Sequence, residues 1–233
     1  MKTTLIVAAL NELEGLKVVM PKVRKEWCDQ TIVLLGKPVL DDSIEWSKSQ
    51  GYDVFLGEKN LWHGYRNLFA SGIVRGNVVV TFSPDGNSLP EAIPQLVAKM
   101  SEGYDMVIAS RYLGNAVSED DTRLTALGNR VLTRLVNCRS SFHYTDALVM
   151  FRAYRTSLVN QLGFDKPLTL LQKCLTRLTG LYSWEPSLSI RAGRAKLRVA
   201  EIPASEPEAL RERRQNTFVH GLAIATQIIS EVL

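Results

Sequence analysis

The sequence predicts an α/β fold: a doubly wound, mostly parallel sheet flanked by helices, with a helical region towards the C-terminus. Three observations predict it. Short apolar runs of strand length alternate with stretches of helical spacing through the first 110 residues, which is the pattern of a parallel sheet with crossover helices. The length of 233 residues and the 45% hydrophobic and 22% charged composition suit a chain with a sizeable buried core rather than a disordered or repetitive one. No linker and no internal repeat interrupts the pattern.

The elements follow in order. Thr4–Ala9 reads as a strand, and Leu13, Leu16, Val19 or Met20, Val23 and Trp27 then recur at helical spacing. Residues 1–10 are cut off by Asn11, Glu12 and Glu14 before a signal-peptide core can form. Strands are expected at Thr31–Leu35, Asp53–Leu56, Asn77–Phe82 and Asp105–Ala109, with helices near 41–50, 61–74 and 90–102 between them. Beyond about residue 120 helices are expected at 123–137, 154–163 and 168–180, a strand at Arg198–Ile202 and an amphipathic helix at 216–232. Ligands of such sheets bind beyond the carboxyl ends of the strands, so the residues after Ala9, Leu35, Phe82 and Ala109 form the search area.

Composition removes several classes of function. A net charge of +4 and a pI near 9.0 are mildly basic, without the concentrated charge of a nucleic-acid binder. The local surplus at Arg211–Arg214 suits an anion site, an anionic membrane surface or a solvated helix start. Cys28, Cys138 and Cys174 are too widely spaced for a disulfide framework or a paired-cysteine metal site, which favours a reducing compartment. His63, His143 and His220 lie far apart and lack any zinc motif. Nucleophile elbows, phosphate-binding P-loops and dinucleotide fingerprints are missing too. No apolar run is long enough for a membrane span, so contact with a membrane is peripheral at most.

The strand end at Val78–Phe82 opens into Ser83-Pro84-Asp85-Gly86-Asn87. An aspartate and an amide oxygen two residues apart are hard ligands that suit Mg²⁺ or Mn²⁺ on a diphosphate. Ser-Pro-Asp-Gly is equally good β-turn chemistry, and both readings stand.

The run T-F-S-P-D-G-N-S-L-P-E-A-I-P, with E-G-Y-D-M-V-I-A-S-R-Y at 102–112, A-A-L-N-E at 8–12, T-D-A-L-V-M-F-R-A-Y at 145–154 and E-I-P-A-S-E-P at 201–207, resembles the family 2 nucleotide-sugar glycosyltransferases, especially the dolichyl- or polyprenyl-phosphate mannosyltransferase-like branch. The resemblance implies a single GT-A domain over 1–233, with a nucleotide-binding half at 1–115 and an acceptor-side half at 116–233. It implies transfer of a hexose from a nucleotide-sugar to a polyprenyl-phosphate or surface-glycan acceptor, assisted by Mg²⁺ or Mn²⁺, in the cytoplasm or at the inner face of the membrane. It leaves association into a homo-oligomer open.

Residue by residue, Asp85 matches the second aspartate of the family's D-x-D turn and Asn87 the amide ligand after it. Ser83 stands where the first aspartate would be. Asn11 and Glu12 match the pair near the nucleoside, although Asn11 with Glu14 also makes a capping box. Arg111 matches a basic residue near phosphates, with a surface salt bridge as the alternative. Asp146 is the best-placed acidic residue for a catalytic base, and Arg152 is expected either on a phosphate or paired with Asp146. Asp41 remains where the family has a run of aspartates, Gly36 replacing the usual carboxylate. Arg213 and Arg214 are displaced phosphate-binding candidates, and Trp62 is a core or helix-face residue by its type or, at the position of the donor loop, one placed to cover a nucleotide. The departures at Ala8, Gly36, Ser83 and the donor loop motivate a second reading, a family member without catalysis that serves as a binding or scaffolding subunit in glycan assembly.

Overall fold

Thr3–Ala9 forms strand β1, and all seven of its residues are buried. Burial on both faces is what a central strand of a parallel sheet experiences, which explains an apolar run without alternation. In the computed structural model, which describes residues 1–57, 61–179, 182–210 and 217–232, six further strands join it: β2 (Gln30–Leu35), β3 (Asp53–Leu56), β4 (Val78–Phe82), β5 (Met106–Ser110), β6 (Arg152–Arg155) and β7 (Val199–Pro203). Their order across the sheet is β3-β2-β1-β4-β6-β5-β7. Every pairing is parallel except those of β6, which runs antiparallel to both β4 and β5.

The helices are α1 (Leu13–Val19), α2 (Ser43–Ser49), α3 (Leu61–Ala70), α4 (Ala92–Ser101), α5 (Arg123–Asn137), α6 (Leu158–Gln161), α7 (Leu170–Thr179), α8 (Trp184–Arg194) and α9 (Thr217–Val232). Alternate strand residues supply two cores, one on each face of the sheet. Leu5, Val7, Val33, Leu35 and Val80 pack with Leu16 of α1 and Ile93 and Leu96 of α4. Ile6, Ile32, Leu34 and Ile108 pack on the other side with Trp62 of α3, Trp184 of α8 and Ile224 of α9. The sheet is therefore covered on both faces, as a doubly wound fold requires.

Three local expectations are corrected. The first helix stops at Val19 and continues as two short 3-10 turns, Met20–Lys22 and Lys25–Trp27, because Pro21 cannot donate to the α-helical ladder. The helix expected at 154–163 begins as a strand: Arg152–Arg155 fills the gap between β4 and β5, and only Leu158–Gln161 is helical. Backbone groups of two strands waiting for a partner outweigh the local helical pattern there. Helix α8 was not expected at all. It is buried over most of its circumference, including Ser187 and Ser189, so it carries no one-sided apolar stripe to read.

Candidate active site

After β4 the chain bends through residues 85–88, as its turn chemistry leads one to expect. The Asp85 carboxylate accepts a hydrogen bond from the Asn87 N–H at 3.3 Å and another from Ser83, and Gly86 turns the chain with φ +90. Burial pushes the Asp85 carboxyl above the usual carboxylate range, and the charge of Asp120 adds to this, against the hydrogen bonds from Ser83 and Asn87. Among the described residues no positive group is one of the influences on it. Asn87 sits beside it with its side-chain oxygen accepting from the Ser88 hydroxyl at 3.1 Å.

Asp85 lines a cavity of about 410 Å³ together with Asn11, Glu12, Glu14 and Asp41, at the carboxyl ends of β1, β2 and β4. The search area thus converges on one place. Among the described residues its lining carries four carboxylates, Glu12, Glu14, Asp41 and Asp85, and no lysine or arginine. Asp41 reaches across from the segment after β2 to accept from the Leu13 N–H at 3.1 Å, and from the Ser43 N–H at 3.1 Å. Burial pulls its pKa upward, but the hydrogen bonds from Ser43 and Leu13 win and hold it below the ordinary value. Asp41, not Asn11, therefore caps the first turn of α1.

Asn11 does something else. It adopts φ 52, and its side chain donates to the Pro38 carbonyl at 3.1 Å and accepts from the Leu40 N–H at 2.6 Å. The capping box expected with Glu14 is replaced by a clamp on the loop that carries Asp41. Glu12 takes the N-cap position of α1 without a side-chain cap bond and faces the cavity. Gly36 packs against the Leu10 side chain, with a Cβ there only 3.0 Å from Leu10 Cδ1.

A second cluster lies beyond β5. Arg111 grips Asp146 in a two-point fork, Nε to Oδ2 at 2.6 Å and Nη2 to Oδ1 at 3.0 Å, and reaches Glu206 through Nη1 at 3.4 Å. Asp146 is wholly buried. Burial alone would raise its pKa, but the Arg111 charge and hydrogen bonds hold it below the ordinary value. Glu201 fixes the preceding turn by accepting from the N–H groups of Thr145 and Asp146 at 2.9–3.0 Å. Arg111 is therefore a buried ion pair, not the surface salt bridge that was its alternative.

Arg152 meets neither expectation. Its guanidinium is fully buried under α8 and donates to the carbonyls of Val149, Ala147 and Glu185 and to the Ser189 hydroxyl. With those donors spent inside the core, it pairs with no phosphate site and not with Asp146. Trp62 is likewise core: its ring lies 4.7 Å from Tyr182, 5.1 Å from Phe164 and 5.1 Å from Trp184, so it covers no nucleotide. Arg213 and Arg214 lie outside the described residues.

The two clusters are joined by the stretch 206–210. Glu206 accepts from Ser118 at 2.6 Å and from Arg111, and Leu210 N–H donates to the Asp85 carbonyl at 2.8 Å while its side chain borders the cavity. The run E-I-P-A-S-E-P at 201–207 carries Glu201 and Glu206 without marking a role for either, and Leu210 and Asp120 lie outside it. Long-range partners of this kind have no local spacing to betray them.

Known proteins resemble this chain in sequence and in fold. Residues 4–163 match the family described as Glycosyl transferase family 2. The chain belongs to that family. A curated family relative, the undecaprenyl-phosphate 4-deoxy-4-formamido-L-arabinose transferase of Enterobacter sp. (strain 638), is 27% identical over 170 residues, covering 68% of this chain and 50% of its own. The enzyme of the same name from Shewanella sediminis is 33% identical over 102 residues, 43% of this chain and 29% of its own. The chain spans about half the length or less of these curated relatives.

Among solved structures, glucosyl-3-phosphoglycerate synthase from Mycobacterium tuberculosis, in complex with Mn²⁺, UDP and phosphoglyceric acid, superposes with a TM-score of 0.65 at 18% identity, over 100% of this chain and 77% of its own. Mannosyl-3-phosphoglycerate synthase from Rubrobacter xylanophilus gives 0.61 at 13% identity, over 100% and 75%. These likenesses establish the GT-A fold for this family 2 chain.

Proposed function

We propose that the chain transfers a sugar from a nucleotide-sugar to a polyprenyl phosphate, with a divalent cation accompanying the donor. The observation that carries this is the cavity whose described lining holds four carboxylates and no cation, with Asp85 raised by burial at its edge. A diphosphate entering such a lining is repelled unless a doubly charged ion comes with it. The residues fit Mg²⁺ or Mn²⁺: in Asp85 a carboxylate with no positive partner among the described residues, and in Asn87 a hard amide oxygen beside it. When bound, the ion neutralises the charge that gathers on the departing nucleoside diphosphate. The mycobacterial neighbour, crystallised with Mn²⁺ and UDP, supports the same assignment.

The remaining residues take roles that their surroundings allow. Glu12 and the low-pKa carboxylate of Asp41 accept hydrogen bonds from the nucleoside, whose hydroxyl and amino groups are donors. The acceptor's phosphate oxygen attacks the anomeric carbon, and the carbon–oxygen bond to the diphosphate breaks with its electron pair leaving on the nucleotide. A phosphate is already ionised near neutral pH, so the reaction asks for no proton acceptor. Asp146, locked to Arg111, positions that guanidinium for the acceptor phosphate instead of taking a proton, and Arg213 and Arg214 are further candidates for the same phosphate. A lipid-linked acceptor places the reaction at a membrane surface, and the relatives named for undecaprenyl phosphate support that choice. Among the described residues no helix is long and apolar enough to cross a membrane.

A thermal-shift screen with UDP, GDP and CDP, with and without Mn²⁺, tests the donor side. One nucleotide should raise Tm by several degrees only when the cation is present, since saturation at 100 times Kd is worth about 2.7 kcal/mol. The gain should vanish in Asp85→Ala. If none of the three nucleotides shifts Tm under either condition, the non-catalytic scaffold replaces the enzyme.

A further inference from the structure

We infer that the chain docks on anionic lipid through a face built from α5, α7 and α9. Helix α5 leaves Leu124, Leu127, Val131 and Leu135 exposed, the first at 74%, in one stripe on the side opposite its buried Leu132, Thr133 and Val136. Along the edge of that stripe run Arg123, Arg130 and Arg134, all exposed. Helix α7 repeats the arrangement: Leu170 and Leu178 are 81% and 83% exposed, with Lys173 and Arg177 beside them. Neither helix contains an aspartate or glutamate. Helix α9 packs against both and adds exposed Val219, Leu222 and Ile229, while its one acid, Glu231, is buried against Arg191.

Large apolar side chains left in water beside a row of cations are costly for a free surface and have a physical use at a lipid interface. There the leucines enter the acyl boundary and the cations meet lipid phosphates. A second copy of this chain fits poorly, because five cations without a compensating carboxylate on α5 and α7 would face five more. A nucleic acid has nothing to cover the leucines. The face also begins where the site does. Thr122 caps α5, and Asp120, two residues earlier, acts on the Asp85 carboxyl and accepts from the Ala209 N–H at 3.5 Å. From that point α5 runs for 15 residues, about 22 Å. The docking face goes beyond the proposed transfer and does not rest on it, since it is argued from the helices alone.

Co-sedimentation of the 233-residue chain with vesicles of phosphatidylcholine alone, and of phosphatidylcholine with phosphatidylglycerol, tests it. Binding is expected with the anionic vesicles and not with the neutral ones. It should weaken about fivefold for each arginine removed, hence about 25-fold in Arg130→Ala with Arg134→Ala, and fall further in 1 M salt. Leu127→Glu with Val131→Glu should abolish it. These are exposed positions, and circular dichroism with the nucleotide thermal shift shows whether each variant is folded, separately from whether it binds lipid. A folded wild-type chain that stays in solution with both vesicle types overturns the inference. So does sedimentation that the arginine and leucine variants leave unchanged, or a dimer in ultracentrifugation that Leu127→Glu with Val131→Glu dissolves while lipid binding is absent.

Discussion

Gly15 and Pro84 meet backbone to backbone at the cavity: a Cβ placed on Gly15 would overlap the Pro84 carbonyl oxygen. Helix α1, which brings Glu12, and the turn after β4, which brings Asp85, can approach this closely only because residue 15 has no side chain. Gly15→Ala should therefore push the turn away, lowering stability by about 1–3 kcal/mol as overpacking does, and weakening cation-dependent nucleotide binding. Urea unfolding and the nucleotide thermal shift measure the two effects. An unchanged midpoint in urea would show that the contact is not tight.

Asp85 should make the protein without its donor less stable as pH rises. Its folded pKa lies above the unfolded value near 3.8 because burial disfavours the charged form. The folded state therefore holds the proton more tightly, and this contribution is fully present below the unfolded pKa and lost as pH rises through the raised folded one. Asp85→Asn should thus be more stable than wild type at neutral pH, with the difference closing towards pH 3, while losing cation-dependent nucleotide binding. Thermal unfolding from pH 3 to 8 checks the sign. A variant less stable than wild type at pH 7 contradicts it.

Arg111 and Asp146 should be unequal to replace singly and jointly. Removing either leaves a buried charge without its partner, which costs about 3–5 kcal/mol. Arg111→Met with Asp146→Leu removes both charges and should cost less than the sum of the single changes, to the extent that Glu206 tolerates the loss. A double-mutant cycle by denaturant unfolding gives the coupling. The Asp146 contribution is present above its unfolded pKa and lost as pH falls through the depressed folded value, so the coupling should fade in acid.

The C-terminal helix is held by Glu231, which accepts from Tyr182 at 2.5 Å, Ser187 at 2.7 Å and both Nη2 and Nε of Arg191 at 2.7 and 2.8 Å. Glu231→Leu leaves the half-buried Arg191 without its carboxylate and should cost about 3 kcal/mol, the low end for a broken buried pair. Hydrogen exchange should show α9 losing protection first, before the sheet. Uniform loss of protection across α9 and β1 would mean that the helix is not a separate unit.

Much of the fold was legible because strands and helices announce themselves locally. The short apolar runs of β1 to β5 and the helical spacing of α5 are properties of neighbouring residues, and Arg123–Asn137 was readable to the residue. Strand β6 and helix α8 were not, since one exists to fill a gap between two strands and the other is buried nearly all round. The same division holds in the site. Asp85, Glu12 and Asp41 stand at strand ends and could be found by position. That Asn11 clamps Pro38 and Leu40, that Asp41 caps α1, and that Arg152 spends its donors on backbone carbonyls depend on partners brought in by the fold.

The antiparallel strand β6 has one more consequence. The strands that deliver Asp85 and Arg111 are not neighbours, for β6 stands between them, and two strand spacings set them about 10 Å apart. That gap is supplied by residues 152–155, from the far half of the polypeptide, and is bridged again by β7 and the stretch 206–210. A fragment ending near residue 115 would expose the flanks of β4 and β5 with nothing to zip them together. The Asp85 cavity and the Arg111 cluster are therefore held in one sheet only by residues from beyond position 150.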